Sequence, residues 1–170
     1  MVRMTTSYAM RAIAPEVLTT LRECDDAGNA PRVVVDEEGG SPLRCCLGRA
    51  KPGEAVGLVS YAPLRRWAAR TGATPGPYCE IGPVFIHLED CGGAVPEVAA
   101  GEFPGGVRGH RRVLRAYNAA GSILGGVLVH EETLPTIEDA LAELYTDPAV
   151  ALVHVRAVEF GCFLMETRRA

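Results

Sequence analysis

Apolar and polar residues alternate from Tyr8 to Ile13, the period of a strand with one buried face. Pro15 then opens Glu16–Arg22, where the apolar residues fall at helical spacing until Gly28-Asn29 ends the segment. Arg32–Asp36 is a β-branched run closed by the turn signal Gly39-Gly40-Ser41-Pro42, which predicts a strand. Extended structure is expected to resume over Leu43–Leu47, and Ala55–Tyr61 predicts another strand after the turn Lys51-Pro52-Gly53-Glu54. Pro63–Ala69 has the pattern of a short amphipathic helix, Gly72–Pro77 is a loop suited to mobility, and Val84–Leu88 returns to strand.

From Asp90 to Gly109, glycine and proline recur too often for regular structure beyond one helical turn near Glu97, and this long irregular stretch reads as a lid. Arg111–Asn118 and Ser122–His130, joined by Ala119-Ala120-Gly121, predict a β-hairpin. Thr136 with Asp139 three residues on has the form of a capping box, and Ile137, Leu141 and Leu144 continue it as a helix ending at Asp147-Pro148. Ala149–Ala157 and Cys162–Thr167 supply two last strands. Runs of strands with two or three helices predict a single α+β domain, a mainly antiparallel sheet with the helices packed on one face. No G-x-G-x-x-G leads from a strand into a helix and no G-x-x-x-x-G-K-[ST] occurs, so a dinucleotide or P-loop fold is not supported.

Composition narrows this picture. A chain of 170 residues, 48% hydrophobic and 22% charged, can bury a core, and these values fit neither a disordered chain nor a membrane protein. No apolar run approaches the roughly 20 residues of a spanning helix. Met1–Thr6 lacks the apolar stretch of a secretory signal, so a cytoplasmic location is expected. A net charge of −4 removes the positive field expected of a nucleic-acid binder. Arg65, Arg66 and Arg70 around Trp67, and Arg111, Arg112 and Arg115 after His110, are short clusters of the kind more often found on solvated faces. Lys51 is the one lysine among 17 basic residues, a bias expected of GC-rich codon choice, so arginine richness does not itself point to function. Without an export signal the six cysteines are expected to be reduced, and no C-x-x-C is present to mark a redox motif or an ordinary zinc ribbon.

Four segments carry a family resemblance: Pro42-Leu43-Arg44-Cys45-Cys46-Leu47 with Pro52-Gly53-Glu54; Pro77–His87, including Glu80-Ile81-Gly82-Pro83; Leu114-Arg115-Ala116-Tyr117-Asn118; and Val153-His154-Val155-Arg156-Ala157 leading to Gly161-Cys162-Phe163. In order and spacing they resemble a bacterial family catalogued as domain of unknown function 1203, which implies no activity. Two positions depart from its pattern: Leu43 stands where Cys is expected before Arg44, and Ala157 where Asn is expected after Arg156. Any role those positions have in relatives is not carried over to this chain.

Alternation also sorts the polar residues. Leu152, His154 and Arg156 share one side of the last long strand, with Val153, Val155 and Ala157 on the other; Arg111, Val113, Arg115 and Tyr117 share one side of the hairpin. If these strands are neighbours, His154, Arg156, Arg115, Tyr117 and His87 line one polar concavity. That set suits a small anionic metabolite. Arg115, Arg156 and Arg44 would bind it with Glu80 and Glu54 orienting them, and His154 or His87, with Tyr117, would transfer protons. No dissociable organic cofactor is implied. The competing reading pairs these arginines internally in an interaction or scaffold module, with a sheet edge or helix forming a homodimer. Two further readings stay open: a reactive thiol at Cys45, Cys46 or Cys162, and a zinc-stabilised domain held by His87, Cys91, His154 and Cys162.

Overall fold

A computed structural model describes residues 8–170, so the amino-terminal segment weighed above as a signal lies outside the described residues. Strand β1 (Tyr8–Arg11) and helix α1 (Pro15–Glu23) are followed by β2 (Arg32–Asp36), β3 (Glu54–Tyr61), helix α2 (Pro63–Thr71) and β4 (Gly82–His87). After the single turn α3 (Pro96–Ala99) come the hairpin β5 (Arg111–Asn118) and β6 (Ile123–His130), helix α4 (Ile137–Leu144), and strands β7 (Val150–Ala157) and β8 (Phe163–Arg169). The fold is α+β with antiparallel sheets. The expected single sheet is divided in two, a five-stranded sheet ordered β1-β8-β7-β5-β6 and a three-stranded sheet ordered β2-β3-β4.

The helices do not share one face either, and β7 gives the reason. It is the central strand of the larger sheet and is buried on both sides. Val153 and Val155 pack with Leu114, Ala116 and the α4 residues Ile137, Ala140 and Leu141. Leu152 packs on the opposite side with Tyr117 and the α2 residues Leu64 and Trp67. Two buried faces need two covers, so α4 takes one and α2 the other. A third apolar cluster joins α1, through Leu18 and Leu21, to Val56, Val59, Val84 and Ile86 of the smaller sheet.

Local signals end the helices as the residues dictate. Pro15 and Pro63 occupy the first turns of α1 and α2, where a missing N–H costs nothing. Gly72 ends α2 in the left-handed region at φ 76°. The capping box at α4 is complete: Asp139 N–H donates to Thr136 Oγ1 at 3.1 Å, and Thr136 N–H to Asp139 Oδ2 at 3.2 Å. Beyond its end, Tyr145 donates or accepts a buried hydrogen bond with Thr167 at 2.8 Å, tying this region to β8.

The 90–109 segment is not a free lid. Phe103 and Val107 are buried in the core beneath α4, and Val95 N–H donates to the Cys46 carbonyl at 2.8 Å. Within it, Gly106 lies so close to the 46–48 loop that an added Cβ would collide with the Leu47 carbonyl oxygen and sit 2.8 Å from Gly48 Cα. Because the obstacle is backbone, relief requires moving one segment off the other. Gly106→Ala is expected to cost about 1–3 kcal/mol, as overpacking does, read as a lowered urea midpoint; an unchanged midpoint would mean that the two segments slide apart freely.

Candidate functional site

Strand register builds the first constellation. Arg115 on β5 faces His154 on β7, and His154 faces Glu166 on β8, so three ionisable residues form one row across the sheet. His154 is 1% exposed, and its ring lies 4.8 Å from that of Tyr117 and 5.0 Å from that of Phe163, the latter edge-on. Its Nε2 is 3.3 Å from Glu166 Oε2, while Glu166 Oε1 accepts from Arg168 Nε.

Burial holds the His154 pKa below its ordinary 6.5 despite the carboxylate beside it, so the ring is neutral near pH 7. Burial alone would raise Glu166, but the hydrogen bond from His154 and the charge of Arg168 outweigh it and keep the carboxyl below its ordinary 4.5. A neutral imidazole beside an ionised carboxylate carries its proton on Nε2. The other nitrogen, Nδ1, is buried and has no hydrogen-bond partner among the described residues.

A cavity of about 250 Å³ adjoins this dyad, lined among others by Tyr117, His154, Arg156, Glu80 and Cys162. Glu80 also ties the two guanidiniums together, with Oε1 2.7 Å from Arg115 Nη1 and Oε2 3.0 Å from Arg156 Nη2. Arg156 Nε further donates to the Gly161 carbonyl at 3.0 Å. Burial raises the Tyr117 phenol above its ordinary value, with the neighbouring Arg115 charge opposing the shift. Phe160, Tyr78 and Ile81 are exposed apolar residues that also border the cavity.

Three of the residues expected here, Arg44, His87 and Glu54, lie elsewhere, and Arg115 meets the cavity wall through Glu80 rather than lining it. Arg44 is buried and donates through Nε to the Phe163 carbonyl at 2.7 Å and through Nη1 to the Pro42 carbonyl at 2.5 Å. Burial lowers its pKa to about 10, still charged at neutral pH, and it serves as a brace between the 42–47 loop and β8. His87 sits at the end of β4 with Cys45, Cys46 and Cys91, away from the cavity. The quartet His87, Cys91, His154 and Cys162 therefore does not assemble: its first two members belong to this cluster and its last two to the cavity wall.

The Cys–His cluster depends on a loop meeting a strand. Leu43 pairs in parallel with Phe85 and Arg44 N–H donates to the Phe85 carbonyl at 2.9 Å, which sets Cys45 beside His87. Leu47, immediately after Cys46, has φ 65°, an uncommon conformation for a branched apolar side chain. Cys45 Sγ is 3.2 Å from His87 Nδ1 and Cys46 Sγ 3.8 Å from it. The His87 Nε2 lies 3.1 Å from Glu54 Oε1, and Arg22 braces this corner by donating to the carbonyls of His87 and Glu89. Interaction between the adjacent thiols, with burial, raises Cys45 above the ordinary thiol value, and the same interaction lowers Cys46.

Glu166 is the functional candidate that the sequence reading missed. A carboxylate inside the run Phe163-Leu164-Met165-Glu166-Thr167 was a signal of a buried charge needing a partner. The pairing with His154 was hidden because a bulge between Val155 and Arg156 shifts the β7–β8 register.

Fold and site together define a two-sheet α+β protein with a His–Glu dyad at a cavity and a separate Cys–His cluster. The chain belongs to the family described as "Protein of unknown function (DUF1203)", which matches residues 40–169. That span includes both constellations. No curated protein and no solved structure matches the chain. Among the described residues, no helix is long and apolar enough to cross a membrane.

Proposed function

We propose that the chain binds a small, partly apolar organic anion in the cavity beside His154, and that this histidine transfers a proton to or from it. The observation that carries the reading is the Nδ1 of His154, a buried nitrogen without a partner among the described residues, on a residue that lines the cavity. Leaving such an atom unsatisfied costs about 1–3 kcal/mol, and a ligand donor would remove that cost. Glu166 accepts from Nε2, which leaves the Nδ1 lone pair as the basic site, the same division of labour by which a carboxylate orients a histidine base in hydrolytic triads. Arg156 and Glu80 line the cavity, and because Glu80 is shared with Arg115 the trio carries one net positive charge, enough for one acidic group. Phe160, Tyr78 and Ile81 suit an apolar body.

A second reading rests on two different observations. Arg115 and Arg156 are already paired through Glu80, and Val33 and Val35 are exposed on β2, an edge strand of the smaller sheet. Those features favour an interaction module that pairs through its edge, with a second copy as one partner.

Native mass spectrometry of gently purified protein, compared with the denatured chain, separates the two. The first reading expects a small-molecule adduct that Arg156→Ala weakens tenfold or more, the loss of a charge-assisted hydrogen bond of about 1.5–3 kcal/mol, with little change in thermal midpoint. An adduct indifferent to both Arg156→Ala and His154→Gln would sink it. A bare dimer dispersed by Val35→Lys would favour the module.

A further inference from the structure

The Cys–His cluster has the composition and shape of a metal centre, independently of the cavity. Its four ligand atoms, the sulfurs of Cys45, Cys46 and Cys91 and a ring nitrogen of His87, all lie within 4.8 Å of one another. Zinc with Zn–S near 2.3 Å and Zn–N near 2.0 Å sets tetrahedral edges of about 3.5–3.8 Å. The 3.2 and 3.8 Å separations between His87 Nδ1 and the sulfurs of Cys45 and Cys46 bracket that range, and since no separation exceeds 4.8 Å, closing on an ion needs shifts of about 1 Å at most.

We propose that Cys45, Cys46, Cys91 and His87 Nδ1 bind one zinc ion as a closed Cys3His centre, with Glu54 orienting the histidine from outside.

The surroundings distinguish this cluster from thiols that merely share a core. Glu54 Oε1 is 3.1 Å from His87 Nε2, so the ring's proton lies on that side and the Nδ1 lone pair is left free toward the sulfurs. Carboxylate–histidine–metal arrangements fix tautomer and ring orientation in this way. Backbone amides point at the sulfurs as well: His87 N–H donates to Cys45 Sγ at 3.2 Å and Gly48 N–H to Cys46 Sγ at 3.4 Å. Such donors stabilise thiolate, the form that binds metal. Three soft sulfurs and one imidazole select a zinc-type ion over magnesium or calcium, which require oxygen ligands.

With all four positions filled by protein, the centre is structural and not catalytic. Its ligands come from three places: the 45–46 loop, the end of β4 and the turn carrying Cys91. A bound ion locks these together beside α1. The strained φ of Leu47 is then explained as the bend that turns both neighbouring sulfurs toward one point.

The test uses untagged full-length protein purified without chelator. Elemental analysis should give one zinc per chain, and exchange to cobalt should give the visible bands of a tetrahedral site together with a thiolate-to-cobalt charge-transfer band. Cys91→Ser should lose or weaken that charge-transfer band. Glu54→Gln, which keeps all four ligands and the fold, should weaken zinc in chelator competition by 10–100-fold. Zinc-free protein whose cobalt-treated spectrum is that of the aqueous ion overturns the proposal, as does a disulfide among Cys45, Cys46 and Cys91 in protein kept under reducing conditions. Zinc affinity unchanged in Glu54→Gln overturns the role of Glu54.

Discussion

Stability should fall as pH drops below about 6.5, and His154→Leu should abolish the first part of that fall. The sign follows from burial. His154 has a folded pKa below its ordinary 6.5, so the unfolded chain takes up the proton first, and stability present above 6.5 is lost progressively as pH falls toward the folded value. Glu166 acts in the same direction over a lower window. Its carboxyl is held below 4.5 in the folded chain, so its contribution is complete above 4.5 and declines as pH falls further.

The substitution also carries a cost at neutral pH. Glu166 is 6% exposed, and without His154 it keeps, among the described residues, Arg168 alone as a side-chain donor. Leaving a buried charged acceptor short of a donor costs about 1–3 kcal/mol or more. Urea midpoints measured from pH 8 to pH 4 read both effects: the variant should start lower and stay flat between pH 8 and 5, where the wild type declines. A wild-type midpoint flat over that range would mean that His154 is reached by solvent and titrates normally.

What the sequence disclosed about this site, and what it hid, has a physical boundary. The alternation that sets Leu152, His154 and Arg156 on one side of β7 depends only on strand geometry, and it holds in the structure: His154 and Arg156 line the cavity while Val153 and Val155 enter the opposite core. The capping box at Thr136 was equally legible, because its partners are three residues apart.

Features made by distant pairings were not. Cys45 and His87 are brought together by the isolated parallel pairing of Leu43 with Phe85, which no local pattern announces. The division into two sheets arises because β3 pairs with β2 and β4 while β8 reaches back to β1, choices made by packing after the strands exist. The 90–109 segment resembled a lid because glycine and proline interrupt it throughout, so its anchors Phe103 and Val107, with Val95 and Val98 packed beside them, follow neither a strand nor a helix period. Arg44 illustrates the reverse error. A guanidinium in a loop suggested an anion site, yet it is buried and its Nε and Nη1 donate to the carbonyls of Phe163 and Pro42.

Phe163→Ala should be among the most damaging single substitutions in the chain, lowering stability by about 3–5 kcal/mol as truncation of a buried aromatic does. The residue belongs to β8 of the larger sheet but packs in the cluster of the smaller one, with Val56, Val59, Val84 and Ile86. Its ring meets Tyr61 of β3 edge-on at 5.6 Å and the His154 ring at 5.0 Å, so it touches both the joint between the sheets and the proposed proton-transfer group. It also lines the cavity, so truncation would enlarge an existing space that neighbours do not collapse to fill. Two probes report on the joint. Trp67, packed against Tyr117 and Leu152, follows the larger sheet through α2, and far-UV circular dichroism follows both sheets. If Phe163 couples the sheets, the wild type unfolds with coincident transitions, and in the variant the two probes either shift down together or separate. A loss below about 1 kcal/mol with transitions still coincident would place the coupling in the Arg44 brace instead, because Arg44 reaches Phe163 through its backbone carbonyl and survives the truncation.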